Sequence, residues 1–400
     1  MGEWSGRLDT DIRLEDGSSR NVFFRAKLIE LSEDAEEFRL YLTSLCETTG
    51  WSDPPEAAEQ IVSESGTFAP TAGFLPYTFG WFGLDTYLEI NEQYTRFLGD
   101  AAAVLLKNHE WDLFFMHSHP PDWVYHAVML EMDPDLNPNE DSRRTAWDTH
   151  LKIYQQQDDL LAQILGVLDG DDLVILVSDH GATPDGPNFN PFDALIPAGL
   201  ARLQPRPEEK IQSDGRVHRK AKGFLKKKVA ENIDWSTTRA VGMRPFYVYI
   251  NLKGRDPDGI VEPEDYEAVQ QEVIDALLGY VHPENGKRPV ALALSKKDAR
   301  ILGLYGDSVG DVVYALYPWF GSQHGLILPT AEYGIGSLKV LFTMTGPGIK
   351  KGVHLNRTVR LTDLVPTVCY LMNLPVPADT EGAVIYQAFE DPNFRFHQET

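Results

Sequence analysis

The sequence predicts an α/β protein: a mostly parallel, doubly wound sheet with helices on both faces, plus a small α+β insertion. Two observations carry this prediction. Short apolar, β-branched runs such as Val174-Ile-Leu-Val177 alternate with long segments of helical period, the pattern of a parallel sheet covered by helices. Some of those runs end abruptly in acids and imidazoles, and ligands gather beyond the carboxyl ends of strands in an open α/β sheet. The 400 residues are read as one domain of this kind. Within it, residues 1–90 would be peripheral strands and loops, and residues from about 200 to 310 an insertion or cap.

The elements follow in order. Asn21–Leu31 alternates in short segments and reads as exposed strand, and Asp16-Gly17, set among polar residues, reads as a hairpin turn. Residues 50–90 are rich in Pro, Gly and Thr and predict irregular surface structure. A helical period returns over Tyr87–Leu106, and residues 112–118 follow as a strand that Pro120-Pro121 stops. Thr145–Leu168 is the clearest helix, with Leu151, Tyr154, Leu161, Leu165 and Leu168 on one apolar stripe and Gly170 at its end. After the strand at Val174 comes a different region, with a basic run at Arg216–Lys228, a strand over Phe246–Leu252 and a helix over Pro263–Leu278. Val340–Thr345 predicts a further buried strand, and Asp363 reads as a helix cap ahead of Pro366.

Three places carry the chemistry. Asp179-His180 directly follows a strand and sets an oxygen and a nitrogen donor side by side, a mixture that suits zinc or manganese. Asp122 and His126 are four residues apart in a helix that the prolines start, so both side chains lie on one face. His324 stands alone between Gly321 and Gly325, a few residues before the last buried strand. Five such donors suit more than one metal ion. Each also has a plainer reading: Asp179 as a helix cap beside a hydrogen-bonded imidazole, Asp122 as a helix-start acid favoured by the dipole, His126 as a surface residue. His117 and His119 form an H-x-H whose rings would share one side of a strand; we leave them outside the ligand set.

The pattern resembles the alkaline phosphatase superfamily, in its type I phosphodiesterase/nucleotide pyrophosphatase branch, from roughly Phe23 to Phe389. Ser178-Asp-His-Gly181 is similar to the family's SDHG motif, and Asp122-x-x-x-His126 to its D-x-x-x-H segment. Gly346-Pro-Gly-Ile-Lys350, Leu361-Thr-Asp-Leu-Val-Pro-Thr367 and Leu374-Pro375 resemble its closing sequence, and Tyr249–Arg255 a segment of bacterial and archaeal members. The resemblance implies an alkaline-phosphatase-like fold and two divalent metals, zinc first, with manganese or iron as alternatives. Asp122, His126 and His324 would hold one ion, and Asp179 and His180 the other. It implies a hydrolase of phosphodiesters or nucleotide pyrophosphate bonds, in which a hydroxyl attacks phosphorus and water releases the phospho-enzyme.

The family adds an Asp near its N-terminus and a Thr or Ser nucleophile on the next helix. The sequence has no early apolar strand ending in Asp-Gly ahead of such a helix. Thr71, in Ala69–Gly73, is the other candidate and has loop-like neighbours. The catalytic residue is therefore unassigned, and the chain reads as the C-terminal part of a longer phosphodiesterase or as a member without that segment. Two alternatives stand beside the phosphodiesterase reading. One is another superfamily activity, a phosphomonoesterase or phosphomutase; the other is a catalytically incomplete metal-binding fragment.

Thirty-six basic and sixty acidic residues give a net charge of −24. That argues against a nucleic-acid scaffold and against an anionic membrane surface, both of which want a basic face. A phosphoester substrate stays compatible, because bound cations reverse the local sign. Cys46 and Cys369 are too few for a disulfide framework. There is no eighteen-residue apolar run and no apolar signal region after Met1, which predicts a cytoplasmic location unless an upstream signal has been lost.

Overall fold

The computed structural model describes residues 2–65, 73–184, 186–187, 189–204, 232–244, 246–317, 320 and 338–396. The chain divides into two compact units: Met1–Gln163 with Thr183–Gly334, and Ile164–Ala182 with Ile335–Thr400.

The first unit opens with β1 (Leu8–Arg13), β2 (Ser19–Phe24), β3 (Ala26–Leu31), β4 (Phe38–Leu42) and β5 (Cys46–Glu47). They form a three-stranded sheet β1-β2-β5 and a separate β3-β4 ladder. Asp16-Gly17 makes the β1–β2 turn as expected: Gly17 has φ 84°, and the Asp16 carboxylate accepts from the backbone and hydroxyl of Ser18 at 2.9 and 2.6 Å. Five helices follow: α1 (Pro55–Ser65), α2 (Phe74–Thr78), α3 (Leu84–Asn108), α4 (Pro120–Met132) and α5 (Glu140–Leu165). Residues 50–90, expected to be irregular, thus contain α1, α2 and the start of α3. Pro55 opens α1 at the one helical position where its missing N–H costs nothing, and Ala57, Ala58 and Ile61 bury one face.

Next along the chain is β6 (Val174–Val177), in the second unit. The first unit then resumes with α6 (Phe192–Leu195), β7 (Ala240–Arg244), β8 (Tyr247–Ile250), α7 (Tyr266–Gly279), β9 (Val290–Ser295) and β10 (Val312–Leu316). The four strands form one sheet in the order β7-β8-β10-β9. Val269, Val273 and Leu277 recur every four residues along α7 and pack on that sheet against Val248, Ile250, Val312 and Leu316. Full burial of one such side chain is worth about 1.5–3 kcal/mol. Under this core Asp311, 1% exposed, accepts from both Arg255 guanidinium nitrogens at 2.8 Å, the Tyr266 hydroxyl at 2.8 Å and the Ile250 amide at 2.6 Å.

In the second unit β11 (Phe342–Thr345) pairs with β6, and α8 (Leu364–Leu371) joins a core of Ile349, Leu371, Ile385, Ala388 and Phe389. Asp363 stands just ahead of α8, where a cap was expected, but its carboxylate bonds none of that helix's amides. It is buried, accepts from the amides of Arg360 (3.0 Å) and Ala383 (2.8 Å), and lies 3.4 Å from Arg357.

Three expectations need correction. The mixed α/β character holds, but the strand ladders among the described residues are antiparallel, not a mostly parallel doubly wound sheet. The expected strand over residues 112–118 joins no ladder, and Leu113 and Phe115 are 61% and 78% exposed. Among the described residues the ladder partner of β6 is β11, running the other way. The buried stripe of α5 is also different. It carries Ala146, Thr149, Ile153, Gln156 and Leu160, while Leu151, Tyr154 and Leu165 are exposed. Inside the stripe the Thr149 hydroxyl donates to the Thr145 carbonyl (2.7 Å), one turn back, and the Gln156 side-chain amide donates to the distant Leu88 carbonyl (3.1 Å). Among the described residues no helix is long and apolar enough to cross a membrane.

Candidate metal centre

α4 places the first pair of donors. Pro120 and Pro121 occupy its first two positions, and the His119 carbonyl accepts from the amides of Asp122 (3.0 Å) and Trp123 (3.2 Å), which locks the first turn. Asp122 sits in that turn, where the helix dipole favours a carboxylate. Its Oδ1 lies 3.4 Å from Nε2 of His126, as the spacing of four requires, and the two side chains are 20% and 13% exposed. The spacing of four thus brings these two side chains together on one helical face.

The structure adds a residue left outside the ligand set. His119 Nε2 lies 3.7 Å from the other Asp122 oxygen, so the carboxylate stands between two imidazoles. The His119 ring stacks on Trp123 at 4.8 Å and 5°, and meets His117 edge-on at 4.6 Å. The signal for His119 was the three-residue spacing to Asp122 across a helix start, hidden because 112–118 read as a strand continuing into it. Behind the pair, the Phe74 ring lies 6.0 Å from that of His126.

The second pair belongs to the second unit. β6 ends at Val177, the Ser178 amide still bonds the Leu341 carbonyl at 3.1 Å, and the chain then leaves the ladder at Asp179-His180. Asp179 Oδ2 lies 3.5 Å from His180 Nε2. The His180 amide donates to Asp179 Oδ1 at 3.1 Å, and the ring Nδ1 lies 2.9 Å from the Gly181 carbonyl. In the neutral imidazole that contact puts the proton on Nδ1 and the lone pair on Nε2, the protonation pattern of a metal-ligating histidine.

Among the described residues no three His, Cys, Asp or Glu side chains form a metal-binding group. His324 and the alternative nucleophile Thr71 lie outside the described residues. Each Asp–His pair nevertheless fits half of a divalent-cation site, because both combine a carboxylate with an imidazole nitrogen within 3.5 Å. Asp16, the early acid of an Asp-Gly, is engaged in the β1–β2 turn.

The surroundings of α4 are apolar and aromatic. Burial pushes the Tyr87 phenol well above its ordinary value, and the Asp122 charge raises it further. Burial, with the Tyr154 hydroxyl 2.9 Å away, does the same to Tyr125.

The family model described as type I phosphodiesterase / nucleotide pyrophosphatase matches residues 65–318, well over half of the chain. That span holds Asp122, His126, Asp179 and His180 and stops short of His324. No curated protein and no solved structure matches the chain.

Proposed function

Because the chain belongs to the type I phosphodiesterase / nucleotide pyrophosphatase family of the alkaline phosphatase superfamily, we propose that it is a metal-dependent hydrolase of phosphodiesters or nucleotide pyrophosphate bonds. The observation that carries the reading is the Asp122–His126 pair. A carboxylate and an imidazole stand 3.4 Å apart on one helical face, within the matched span. In this reading Asp122 and His126 hold one divalent ion with His324, and Asp179 and His180 hold the second. Zinc suits these donors first; manganese and iron are the alternatives.

When bound, such ions supply Lewis acidity toward phosphate oxygen and neutralise its charge. The residues of the chain do the holding. The His119 carbonyl holds the backbone of the α4 turn that carries Asp122, and the Gly181 carbonyl would keep the His180 proton on Nδ1 and leave Nε2 for the ion. Trp123, stacked on His119, shields one side of that imidazole from water.

The test is hydrolysis of bis(p-nitrophenyl) phosphate by the purified chain, with zinc and manganese supplied separately. Turnover abolished by chelation and by His126→Ala or His180→Ala is the expected result. A preparation with two bound ions per chain that hydrolyses no phosphoester refutes it. Comparing monoester with diester substrates separates a phosphomonoesterase or phosphomutase from a diesterase.

One observation favours a second reading, a metal-binding chain that lacks its own nucleophile. The Asp-Gly of the N-terminal strands lies in a hairpin turn with its carboxylate bonded to Ser18, not at the end of a buried strand. Metal content after dialysis against trace zinc distinguishes the two: near two ions per chain supports the enzyme, near one the incomplete site.

A further inference from the structure

The imidazole at the start of α4 has a place that helix capping does not explain. His119, Asp122 and His126 are spaced by three and four residues and so share one stripe of the helix, while Val124, Ala127, Val128 and Met132 are buried. Side-chain exposure along the stripe falls from 41% at His119 through 20% at Asp122 to 13% at His126. His119 is the N-cap residue, where a side chain ordinarily bonds the first free amides, yet its ring makes no such bond. It lies against Asp122 instead. Its Nε2 is 3.7 Å from Oδ2, and His126 Nε2 is 3.4 Å from Oδ1, so each carboxylate oxygen faces its own imidazole.

Neighbouring rings set the direction of His119. Its plane is within 5° of that of Trp123, with centroids 4.8 Å apart, and Tyr94 of α3 meets Trp123 edge-on at 5.4 Å. His117 meets His119 edge-on at 4.6 Å. A ring packed in this way has little freedom to turn, which keeps Nε2 beside Oδ2. The separation of 3.7 Å exceeds a hydrogen bond by about 0.5 Å, and hydrogen bonds at functional sites often shorten only when the ligand binds. Carboxylates that ligate metals are themselves held by hydrogen bonds from a surrounding layer, and loss of one such bond weakens metal binding. With Oδ1 on the side of His126, Oδ2 is the oxygen that such a bond would hold.

We propose that His119 is a positioning residue: its Nε2–H donates to Oδ2 of Asp122 and turns Oδ1 toward a divalent ion shared with His126. The inference rests on the metal reading of Asp122. It makes His119 neither a metal ligand nor a proton carrier. The imidazole acts only through the direction of one N–H, which the stack on Trp123 supplies.

The test uses the full chain and zinc alone. His119→Phe keeps an aromatic ring over Trp123 and deletes the nitrogen; His119→Gln returns an N–H donor near the position of Nε2. Zinc affinity is measured by competition with a chromophoric chelator, for the ion that Asp122→Ala removes, together with the metal-free Tm. X-ray absorption at the zinc edge counts imidazole ligands. The expected result is an affinity lower by about 10- to 100-fold in His119→Phe, largely restored in His119→Gln, with the metal-free Tm and the imidazole count unchanged in His119→Phe. Wild-type zinc affinity in His119→Phe, alongside loss of the ion in Asp122→Ala, overturns the positioning role and leaves the metal reading standing. Wild-type affinity in Asp122→Ala as well overturns the metal reading and this inference with it. A lower imidazole count in His119→Phe makes His119 a ligand and overturns the proposal. Equal losses in the Phe and Gln variants, or a fall in metal-free Tm alongside the lost affinity, assign the ring a structural role and overturn it too.

Discussion

Asp311→Ala tests whether one buried carboxylate holds the four-stranded sheet to its flanking loop. Asp311 is 1% exposed and accepts four hydrogen bonds, two from Arg255 and one each from Tyr266 and Ile250, at 2.6–2.8 Å. Bonds to a charged group are each worth about 1.5–3 kcal/mol, but their sum overstates the loss because Arg255 is 38% exposed and rehydrates. Breaking a buried pair costs about 3–5 kcal/mol; discounted for that exposure, the expected loss is about 3 kcal/mol. At about 1.4 kcal/mol per decade, this is a rise of roughly two orders of magnitude in local opening. Because the chain has two units, a single global transition is the wrong readout. Amide hydrogen exchange is measured instead over residues 246–252 and α7, with α8 of the second unit as internal reference. Asp311→Asn keeps the shape but turns an NH2 toward the Ile250 amide or the guanidinium, so more than half of the loss should remain. The Asp311→Ala/Arg255→Ala double variant should lose less than the two single losses added together. A rise below tenfold in residues 246–252, or an equal rise in α8, refutes the reasoning.

Three more outcomes follow from the same structure. Burial alone would raise the Asp363 carboxyl, but the amides of Ala383 and Arg360 and the charges of Arg357 and Arg360 outweigh it and hold the group below its usual 3.8. Its stabilisation is then complete above pH 3.8 and fades as pH falls through the lower folded value; hydrogen exchange in α8 should show the second unit about 2 kcal/mol less stable in Asp363→Ala at pH 7, with the gap closing in that acid window. Phe115→Ser should change stability by less than about 0.5 kcal/mol, because the ring is 78% exposed; a loss of about 3–5 kcal/mol in a urea titration would mean a buried strand after all. Gly346 has φ 136°, and a Cβ there would meet the Asp172 carbonyl oxygen at 2.6 Å and Leu173 Cα at 2.8 Å. Gly346→Ala should therefore cost at least about 1–3 kcal/mol, read as a lower Tm of the second unit, and an unchanged Tm would contradict the close approach.

Much of the candidate site was legible because its rules are local. A spacing of four on a helix started by prolines brings Asp122 to His126, whatever the rest of the chain does. An apolar β-branched run that stops at Ser178 leaves Asp179 and His180 beyond a strand end. Asp16-Gly17 made its turn for the same reason, since the partner Ser18 lies two residues away; Asp363 did not cap α8, and one of its carboxylate's partners, the Ala383 amide, comes from a distant part of the chain. His119 was missed because the strand reading of residues 112–118 grouped its ring with that of His117, not with Asp122 three residues on across the helix start.

The sequence by itself determined several local elements, among them α5, β6 and α7, the two Asp–His pairs and, through its motif order, the family. Tertiary structure decided which strands pair, which stripe of α5 is buried, and where Asp311 finds its partners. Those outcomes turn on contacts between residues far apart in the chain: β6 with β11, Gln156 with the Leu88 carbonyl, Asp311 with Arg255 and Ile250. Apolar periodicity reports the hydrophobicity of a face, not the surface waiting for it. A glutamine that finds a carbonyl is buried and a leucine that finds no neighbour is exposed, and only the assembled chain shows which has happened.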